Sequence, residues 1–568
     1  MSNTFLHKIG GLIVICLLQG CLLFQPSHHA PPPISDAPNP QSMLAAYHYS
    51  LGVLNLLDEN SEEATVEFEK ALQFDPKSSV LAGELAILYN EKGAFEKSLT
   101  LLQSARQWHP QDVEAHFLLA GLYAGRKDYP HAIEAYQAVI ALDPKHMSAY
   151  LYLSGLYAEM KDHENALNAL KKLLSVDPDH VVGRYYLAKV LMELKQDEQA
   201  EKELKKTLAL RPSFEPAMTE LAFFYERQKN YALAIGVYDQ IATLYPGHVK
   251  VRIRKGELLL REQRDAEADQ VFGEILQQHA GNKEVALTIG LIYLERNRHE
   301  QAINLFSNLH AAYPDDQKIH YLLAAAYSEK SRTREALEIL EQIAPESEFY
   351  INARIHAATI LKKEGPPDEA VNSIRRAISH KKDAPALYLF LASLYDEKKD
   401  LEHAEKVLLE GLEVSPQNTE ILYSLGVLYE KTDRFEEALR QMRRILIITP
   451  DHADALNFIG YSYADRNLHL DEAEELIKKA LRLKPGNAYI IDSLGWVYFR
   501  QNKPDQAIEW LTEAARLQPD DVAIGEHLGD AYVQNGQFQE ALNIYQKMLK
   551  LRPDSKTLPK KIRDLRKR

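Results

Sequence analysis

The chain has 568 residues, of which 46% are hydrophobic and 26% are charged, so most of it is expected to fold. Its formal net charge of −14 makes it a poor candidate for nucleic-acid binding, because that function needs a clustered basic surface. The two cysteines, Cys16 and Cys21, both lie near the N-terminus. The rest of the chain therefore offers no disulfide framework and no cysteine metal site.

The first predicted element is an apolar run over residues 9–24, interrupted by three glycines and a glutamine. The run is shorter than the ~20 apolar residues that a membrane-spanning helix needs. With Lys8 before it, the run favours a signal peptide over residues 1–20. A simple cleaved signal peptide and an uncleaved anchor remain as alternatives.

The run ends in Leu18-Gln19-Gly20-Cys21, which resembles the lipobox of bacterial lipoproteins. The resemblance implies that Cys21 becomes the new N-terminus and carries acyl chains such as palmitate. Several acyl chains together hold a protein on a bilayer. The next residue is Leu22 rather than Asp, which in enteric bacteria implies sorting to the outer membrane. Residues 21–44 would then contain the lipidated cysteine and a proline-rich tether, extended at ~3.1 Å per residue.

From residue 45 onward the sequence repeats. A small residue recurs at a constant interval, which equals the distance along the sequence from Ala64 to Ser98. Only the interval that ends at Ala473 is longer, by one residue. Tyr stands nine positions before most of these residues, and Pro stands twelve positions after them. Apolar residues at i, i+3, i+4 and i+7 predict two helices in each unit. The small residues are Ala64, Ser98, Ala132, Ala166, Ala200, Ala234, Ala268, Ala302, Ala336, Ala370, Ala404, Ala438, Ala473, Ala507 and Ala541.

This pattern resembles the tetratricopeptide repeat (TPR) over residues 45–553, in about fifteen units. The resemblance implies an all-α, right-handed superhelical solenoid, in which stacked neighbours share one continuous core. The terminal Pro is replaced at Glu348 and Lys382, so repeats 9 and 10 are expected to be the least regular. Residues 554–568 are rich in Lys and Arg and are expected to form a basic capping segment. Contact with anionic lipid or with an acidic partner is the alternative.

Repeats 13–15 carry a further resemblance, over the block that runs from LNFIGYSYADRN to QAIEWL. The block is similar to one in TPR proteins of Gram-negative bacteria, many of them predicted lipoproteins. Motifs for phosphate loops, dinucleotide binding, zinc helices, nucleophile elbows and paired cysteines are absent from the sequence. We therefore expect no catalytic residues, no metal and no cofactor, and we expect that the protein is not an enzyme.

The TPR resemblance implies a concave groove lined by positions 2, 5, 9, 12 and 13 of the first helix in each unit. The large apolar residues at these positions are Tyr49, Phe117, Leu151, Tyr185, Phe223, Ile253, Tyr321, Tyr423, Tyr461, Tyr489, Trp496 and Phe499. The acids at these positions are Glu159, Glu193, Glu295, Glu329, Asp396, Asp492, Glu526 and Asp530. Any one of the aromatic residues could instead belong to the core between repeats.

Among these residues, Tyr489, Trp496 and Phe499 share one helix face and are expected to be the most exposed. An aromatic groove edged with acids suits a peptide that has apolar anchors and basic flanks. The family's clamp for C-terminal carboxylates needs Lys and Asn at positions 5 and 9, where Asn457 stands alone. A receptor for chaperone tails is therefore not expected.

Together these features predict a lipid-anchored scaffold on the periplasmic face of the outer membrane. It would bind other envelope proteins during polysaccharide export, pilus assembly or secretion. A module that binds polysaccharide directly and an adaptor that positions a peptidoglycan enzyme are the alternatives. No nucleic acid is expected among its partners.

Overall fold

The computed structural model describes residues 39–366 and 368–567. All regular elements within these residues are α-helices, 31 in number, and they form two compact units, 1–280 and 281–568. Each repeat contributes an A helix followed by a B helix. The prediction of an all-α TPR solenoid with two helices per unit is confirmed.

The N-terminal unit holds repeats 1–7. Its helices are α1 Pro40–Leu57, α2 Ser61–Phe74, α3 Ser79–Glu91, α4 Phe95–Trp108, α5 Val113–Gly125, α6 Tyr129–Leu142, α7 Met147–Glu159, α8 His163–Val176, α9 Val181–Glu193, α10 Asp197–Leu210, α11 Glu215–Arg227, α12 Tyr231–Leu244, α13 Val249–Arg261 and α14 Asp265–Gln278.

The C-terminal unit holds repeats 8–15 and one further helix. Its helices are α15 Lys283–Glu295, α16 His299–Ala312, α17 Gln317–Glu329, α18 Thr333–Glu341, α19 Tyr350–Glu364, α20 Glu369–His380, α21 Pro385–Glu397, α22 Leu401–Val414, α23 Thr419–Lys431, α24 Phe435–Ile448, α25 Ala453–Asp465, α26 Leu470–Leu483, α27 Ala488–Arg500, α28 Pro504–Leu517, α29 Val522–Gln534, α30 Phe538–Leu551 and α31 Leu558–Leu565.

The turn between the A and B helices has the same conformation in nearly every repeat. One residue of the turn adopts a left-handed conformation, as Lys127 does with φ 63° and Lys161 with φ 62°. The next N–H then reaches back to the A helix, so that Asp128 donates to the Tyr123 carbonyl at 2.9 Å. This bond satisfies a carbonyl that the helix end leaves without a partner.

Within a repeat, the A helix packs closely on the B helix because a small residue faces a large one. Gly256 on α13 lies against the Phe272 ring on α14, and Gly290 lies against Phe306 in the next repeat. Both rings are fully buried. A Cβ at either glycine would overlap the ring, so the absence of a side chain sets the distance between the two helices.

Between repeats, the recurrent Tyr of the A helix bonds to the preceding B helix. The Tyr89 hydroxyl donates to Glu69 at 2.7 Å, and the Tyr225 hydroxyl donates to Glu201 at 2.7 Å. Burial, with Glu69 beside it, raises the pKa of Tyr89 to about 12. Tyr498 donates to Glu474 in the same way at 3.1 Å, so the recurrent Tyr joins neighbouring repeats in both units.

The structure departs from the expected boundaries at the N-terminus. Helix α1 begins at Pro40, inside the segment expected to be tether, because Asn39 caps it by accepting from the Gln41 N–H at 3.1 Å. Proline at the first helical position is compatible with a helix. Residues 1–20, Cys21 and the first part of the expected tether lie outside the described residues.

Repeats 9 and 10 are irregular, as their missing prolines predict. Helix α18 is only 9 residues long and ends at Glu341, shortly before Pro345. Gly365 in repeat 10 has φ −96° and does not adopt the left-handed turn. At the other end of the unit, α31 buries Leu558 and Ile562 on the last repeat and so caps the core.

None of the helices in the described part of the chain is both long and apolar enough to cross a membrane.

We expect Gly256→Ala to lower the free energy of unfolding of the N-terminal unit by about 1–3 kcal/mol, because the new methyl group overpacks the buried Phe272 ring. The matched control is Gly155→Ala in α7, where a Cβ meets open space. Because Ala favours a helix, that control should be stabilising by about 0.5–1 kcal/mol. Urea unfolding followed by circular dichroism measures both. Equal effects of the two substitutions would contradict the packing argument.

Candidate functional site

We call the side chains at positions 2, 5, 9, 12 and 13 of the A helices the A face. Of its ten predicted aromatic site residues, two are exposed: Phe223 by 52% and Tyr489 by 57%. Trp496 is buried, with 7% exposed. The remaining seven are half-buried, as are Leu151 and Ile253. The seven are Tyr49, Phe117, Tyr185, Tyr321, Tyr423, Tyr461 and Phe499.

The half-burial has a recurrent cause. The ring at position 5 of one A helix packs against position 6 of the next A helix, an i, i+35 contact. Phe117 lies 5.7 Å from Tyr152, and Tyr423 lies 6.2 Å from Phe458, measured between ring centroids. Tyr321 lies 6.3 Å from His356 in the same way. These residues join neighbouring A helices and are therefore only partly exposed.

The expected exposure of Trp496 is wrong. Its ring is stacked on Phe499 at 4.6 Å and on His527 of the next A helix at 4.2 Å. The Arg500 guanidinium lies 4.9 Å from the same ring. In repeats 13–15 each A helix contacts the next one directly, α25 with α27 and α27 with α29. The indole of Trp496 is therefore covered by His527 of the following repeat. Of the predicted cluster, Tyr489 alone is well exposed.

Several of the predicted acids form ion pairs or hydrogen bonds with neighbouring residues. Buried Asp492 accepts from His527 at 2.9 Å, below the stacked Trp496. Asp530 and Glu526 in repeat 15 both pair with Lys561 of α31, at 2.7 and 3.3 Å. These acids stabilise contacts between successive helices. By contrast, three of the eight predicted acids are exposed, namely Glu193, Glu295 and Glu329.

Three further carboxylates were missed by the sequence reasoning. Burial raises the pKa of Glu84, Glu114 and Glu220 above the usual range for glutamate. Glu84 and Glu220 stand at position 6, which the family's groove positions omit. The i, i+35 contact between A helices would have identified position 6, because its side chains lie beside those at position 5. A cationic side chain placed here would offset the cost of the desolvated charge.

The described residues do not assemble a metal site. Over residues 39–366 and 368–567, three or more His, Cys, Asp or Glu never gather as a metal ion would need. Cys21, the predicted lipid-attachment residue, lies outside the described residues. What the A face offers is exposed aromatic area beside carboxylates, which is the chemistry of a binding surface.

We expect Trp496→Ala to lower the free energy of unfolding of the C-terminal unit by about 3–5 kcal/mol, because it removes a buried ring between two A helices. Tyr489→Ala on the same helix should change it by no more than about 0.5 kcal/mol, because Tyr489 is exposed. Denaturant unfolding of both variants measures the difference. A Trp496→Ala protein as stable as the Tyr489→Ala protein would contradict the burial of the indole.

Glu220→Gln should raise the stability of the N-terminal unit at neutral pH. Burial raises the pKa of Glu220, although Lys189 and Arg227 oppose the shift, so the ionised carboxylate is less favourable in the folded than in the unfolded chain. The gain should vanish below the unfolded-state pKa of about 4.3, where both states are protonated. Unfolding at pH 7 and pH 4 measures it, with exposed Glu134→Gln as the control. A gain that is independent of pH would contradict the assignment.

Family models described as tetratricopeptide repeats match residues 56–122, 113–146, 157–222, 217–248, 293–358, 385–418, 423–488 and 493–556. The matches thus cover most of the described helices in both units.

Among curated proteins, the chain is 36% identical over 163 residues to the TPR repeat-containing protein PA4667 of Pseudomonas aeruginosa. That match spans 28% of this chain and 28% of the relative. It is 27% identical over 148 residues to the BBSome complex member bbs-4 of Caenorhabditis elegans, which covers 26% of this chain and 32% of that protein. The chain therefore spans about a third or less of either curated relative.

Among solved structures, the chain is similar to that of Naa15/Naa10 bound to HypK-THB, with a TM-score of 0.39 and 14% identity. The similarity covers 92% of this chain and 96% of that one. The constant repeat interval, the paired helices and the family matches agree, and the chain belongs to the tetratricopeptide repeat family.

Proposed function

We propose that this TPR protein is a lipid-anchored scaffold on the periplasmic face of the outer membrane. TPR solenoids serve in general to bind protein partners. The finer proposal is that this one holds envelope proteins together during assembly or export, in polysaccharide-export, pilus or secretion machinery. The membrane location rests on the sequence Leu18-Gln19-Gly20-Cys21, and the binding role rests on the A face.

The observation that carries the binding role is the exposure of Tyr489. It is 57% exposed on a face where eight of the ten predicted rings are half-buried or buried, and it lies at the start of α27, where Asn487 caps the helix. A rigid aromatic side chain of this kind loses little conformational entropy on binding and contributes strongly when a partner covers it. Phe223 offers a second such site in the N-terminal unit.

The charges on the A face indicate the chemistry of the partner. Exposed Glu420 occupies, two repeats earlier, the position that Tyr489 holds in repeat 14. Asp454 stands at this position in repeat 13 but is already paired with Lys484 at 2.7 Å. In the N-terminal unit, burial raises the pKa of Glu84 and Glu220. A Lys or Arg brought by a partner would pair with such carboxylates. The fitting ligand is therefore a peptide segment with an apolar side chain flanked by basic residues.

Direct binding of a polysaccharide is less well supported. Stacking on sugar rings needs an aromatic ring with an open face, and Trp496 is stacked on both Phe499 and His527. Tyr489 alone is a small platform for a polymer. We therefore favour a protein partner, which Tyr489 can serve as a single apolar anchor.

The test is crosslinked affinity purification of the tagged full chain from its native membranes, comparing wild type with Tyr489→Ala. We expect wild type to recover an envelope protein, and Tyr489→Ala to recover it about tenfold less well, since an aromatic anchor contributes more than about 1 kcal/mol. Ile447→Ala is the matched control, because Ile447 is 81% exposed but stands on the B helix α24. Equal recovery by wild type and Tyr489→Ala would contradict the binding role.

A second arm of the same experiment uses Cys21→Ser. Wild type should be found in the outer-membrane fraction and should be released only by detergent, because acyl chains on Cys21 anchor it. The Cys21→Ser protein should leave that fraction and lose the membrane-bound partner, although its A face is intact. A Cys21→Ser protein that stays in the outer membrane, or a wild type that is never found there, would contradict the anchor.

A further inference from the structure

The first helix carries an apolar stripe that the described residues leave open. Along α1, Met43 is 57% exposed, Tyr47 58%, Leu54 56% and Leu57 75%. Their spacing of three, four and seven positions places them on one side of the helix. The opposite side holds Gly52, whose missing Cβ makes room for the buried Phe68 ring of α2. The stripe thus faces away from the B helix of its own repeat.

The corresponding positions in the next repeat show what such a surface accepts. Leu81 and Leu88 are the counterparts, one repeat later, of Tyr47 and Leu54, and each is only 4% exposed. They pack with Phe68 on α2, the B helix of the preceding repeat. The stripe on α1 is therefore shaped to receive an apolar helix. The far end of the chain differs, because α31 covers the last repeat.

We propose that the stripe is a dimer interface, on which the α1 helix of a second copy of this chain packs antiparallel. The stripe reads nearly the same in both directions around Ser50: Met43 and Leu57 lie seven positions to either side, and Tyr47 and Leu54 lie three and four away. A twofold axis near Ser50 therefore sets Met43 against Leu57 of the partner and Tyr47 against Leu54 of the partner. Such a self-complementary contact is what closed dimers use.

The charge distribution supports this occupant. Residues 40–57 contain no Asp, Glu, Lys or Arg. In a twofold contact each charged residue would come close to its own copy, so an uncharged helix avoids repulsion. The short polar side chain of exposed Ser50 stands where the two helices would cross and lets them approach closely.

Two other occupants fit less well. The chain between residues 25 and 38 offers one large aliphatic side chain, Ile34, against the four large residues of the stripe. A bilayer surface favours helices with Lys or Arg along their polar edge. Helix α1 has neither, and the acids Asp58, Glu59 and Glu62 follow it directly.

The test uses residues 21–568 with Cys21 changed to serine, so that neither the predicted signal peptide nor a lipid is attached. Light scattering after size exclusion should give twice the chain mass at micromolar concentration. Tyr47→Glu with Leu54→Glu should give one chain mass, and circular dichroism should show unchanged helix content. Ile447→Glu should stay dimeric, because Ile447 is also exposed and apolar but stands on α24. The proposal does not depend on the A face, which shares only Leu57 with the stripe.

A crosslink then tests the geometry. In the same background, Ser50→Cys should form a disulfide-linked dimer on mild oxidation, because the two copies meet at residue 50. Ser393→Cys, an exposed serine on the A helix α21, should not. A wild-type chain that is monomeric at these concentrations would overturn the proposal. So would a dimer that survives the double Glu substitution, or a monomer that binds anionic vesicles through the stripe.

Discussion

Every part of this molecule depends on one constraint: the helix pair of a single repeat cannot bury both of its apolar sides alone. The A helix must pack on its own B helix and also on the preceding one. The first contact is made by pairs such as Gly256 with Phe272, and the second by residues such as Leu81, which packs against α2. The continuous core of each unit follows from these two contacts, and the open stripe on α1 marks the place where the second is missing.

The same constraint determines what is left for binding. Successive A helices lie close enough that a ring at position 5 contacts position 6 of the next repeat, as Phe117 contacts Tyr152. Rings at these positions therefore stabilise the packing between neighbouring repeats, and only part of their surface is available to a partner. The residues free to anchor a partner are the few outside this pairing, Tyr489 and Phe223 above all. Because these anchors stand on regular helices, their backbone positions are fixed before a partner arrives.

The helices, their pairing and the order of the repeats could be predicted from the sequence, because the constant repeat interval, the small residues and the prolines act locally. The exposure of the groove residues could not. Trp496 and Tyr489 share one helix and one sequence pattern, but Trp496 is covered by His527, which belongs to the next repeat. Burial here depends on the distance between A helices, and that distance is set by side chains of the following repeat. The start of α1 at Pro40 was missed for a local reason, since Asn39 caps a helix where prolines suggested a tether.

We propose that partners bind the A face, with Tyr489 as an anchor. Hydroxyl-radical footprinting of the full chain, alone and with the captured partner, tests it most directly because it reports the exposure of single side chains. Tyr489 should be oxidised in the free protein and protected in the complex, while Trp496 should react little in either state. Ile447, which is 81% exposed on the B helix α24, should react to the same extent in both states. A complex in which Ile447 is protected and Tyr489 is not would contradict the account.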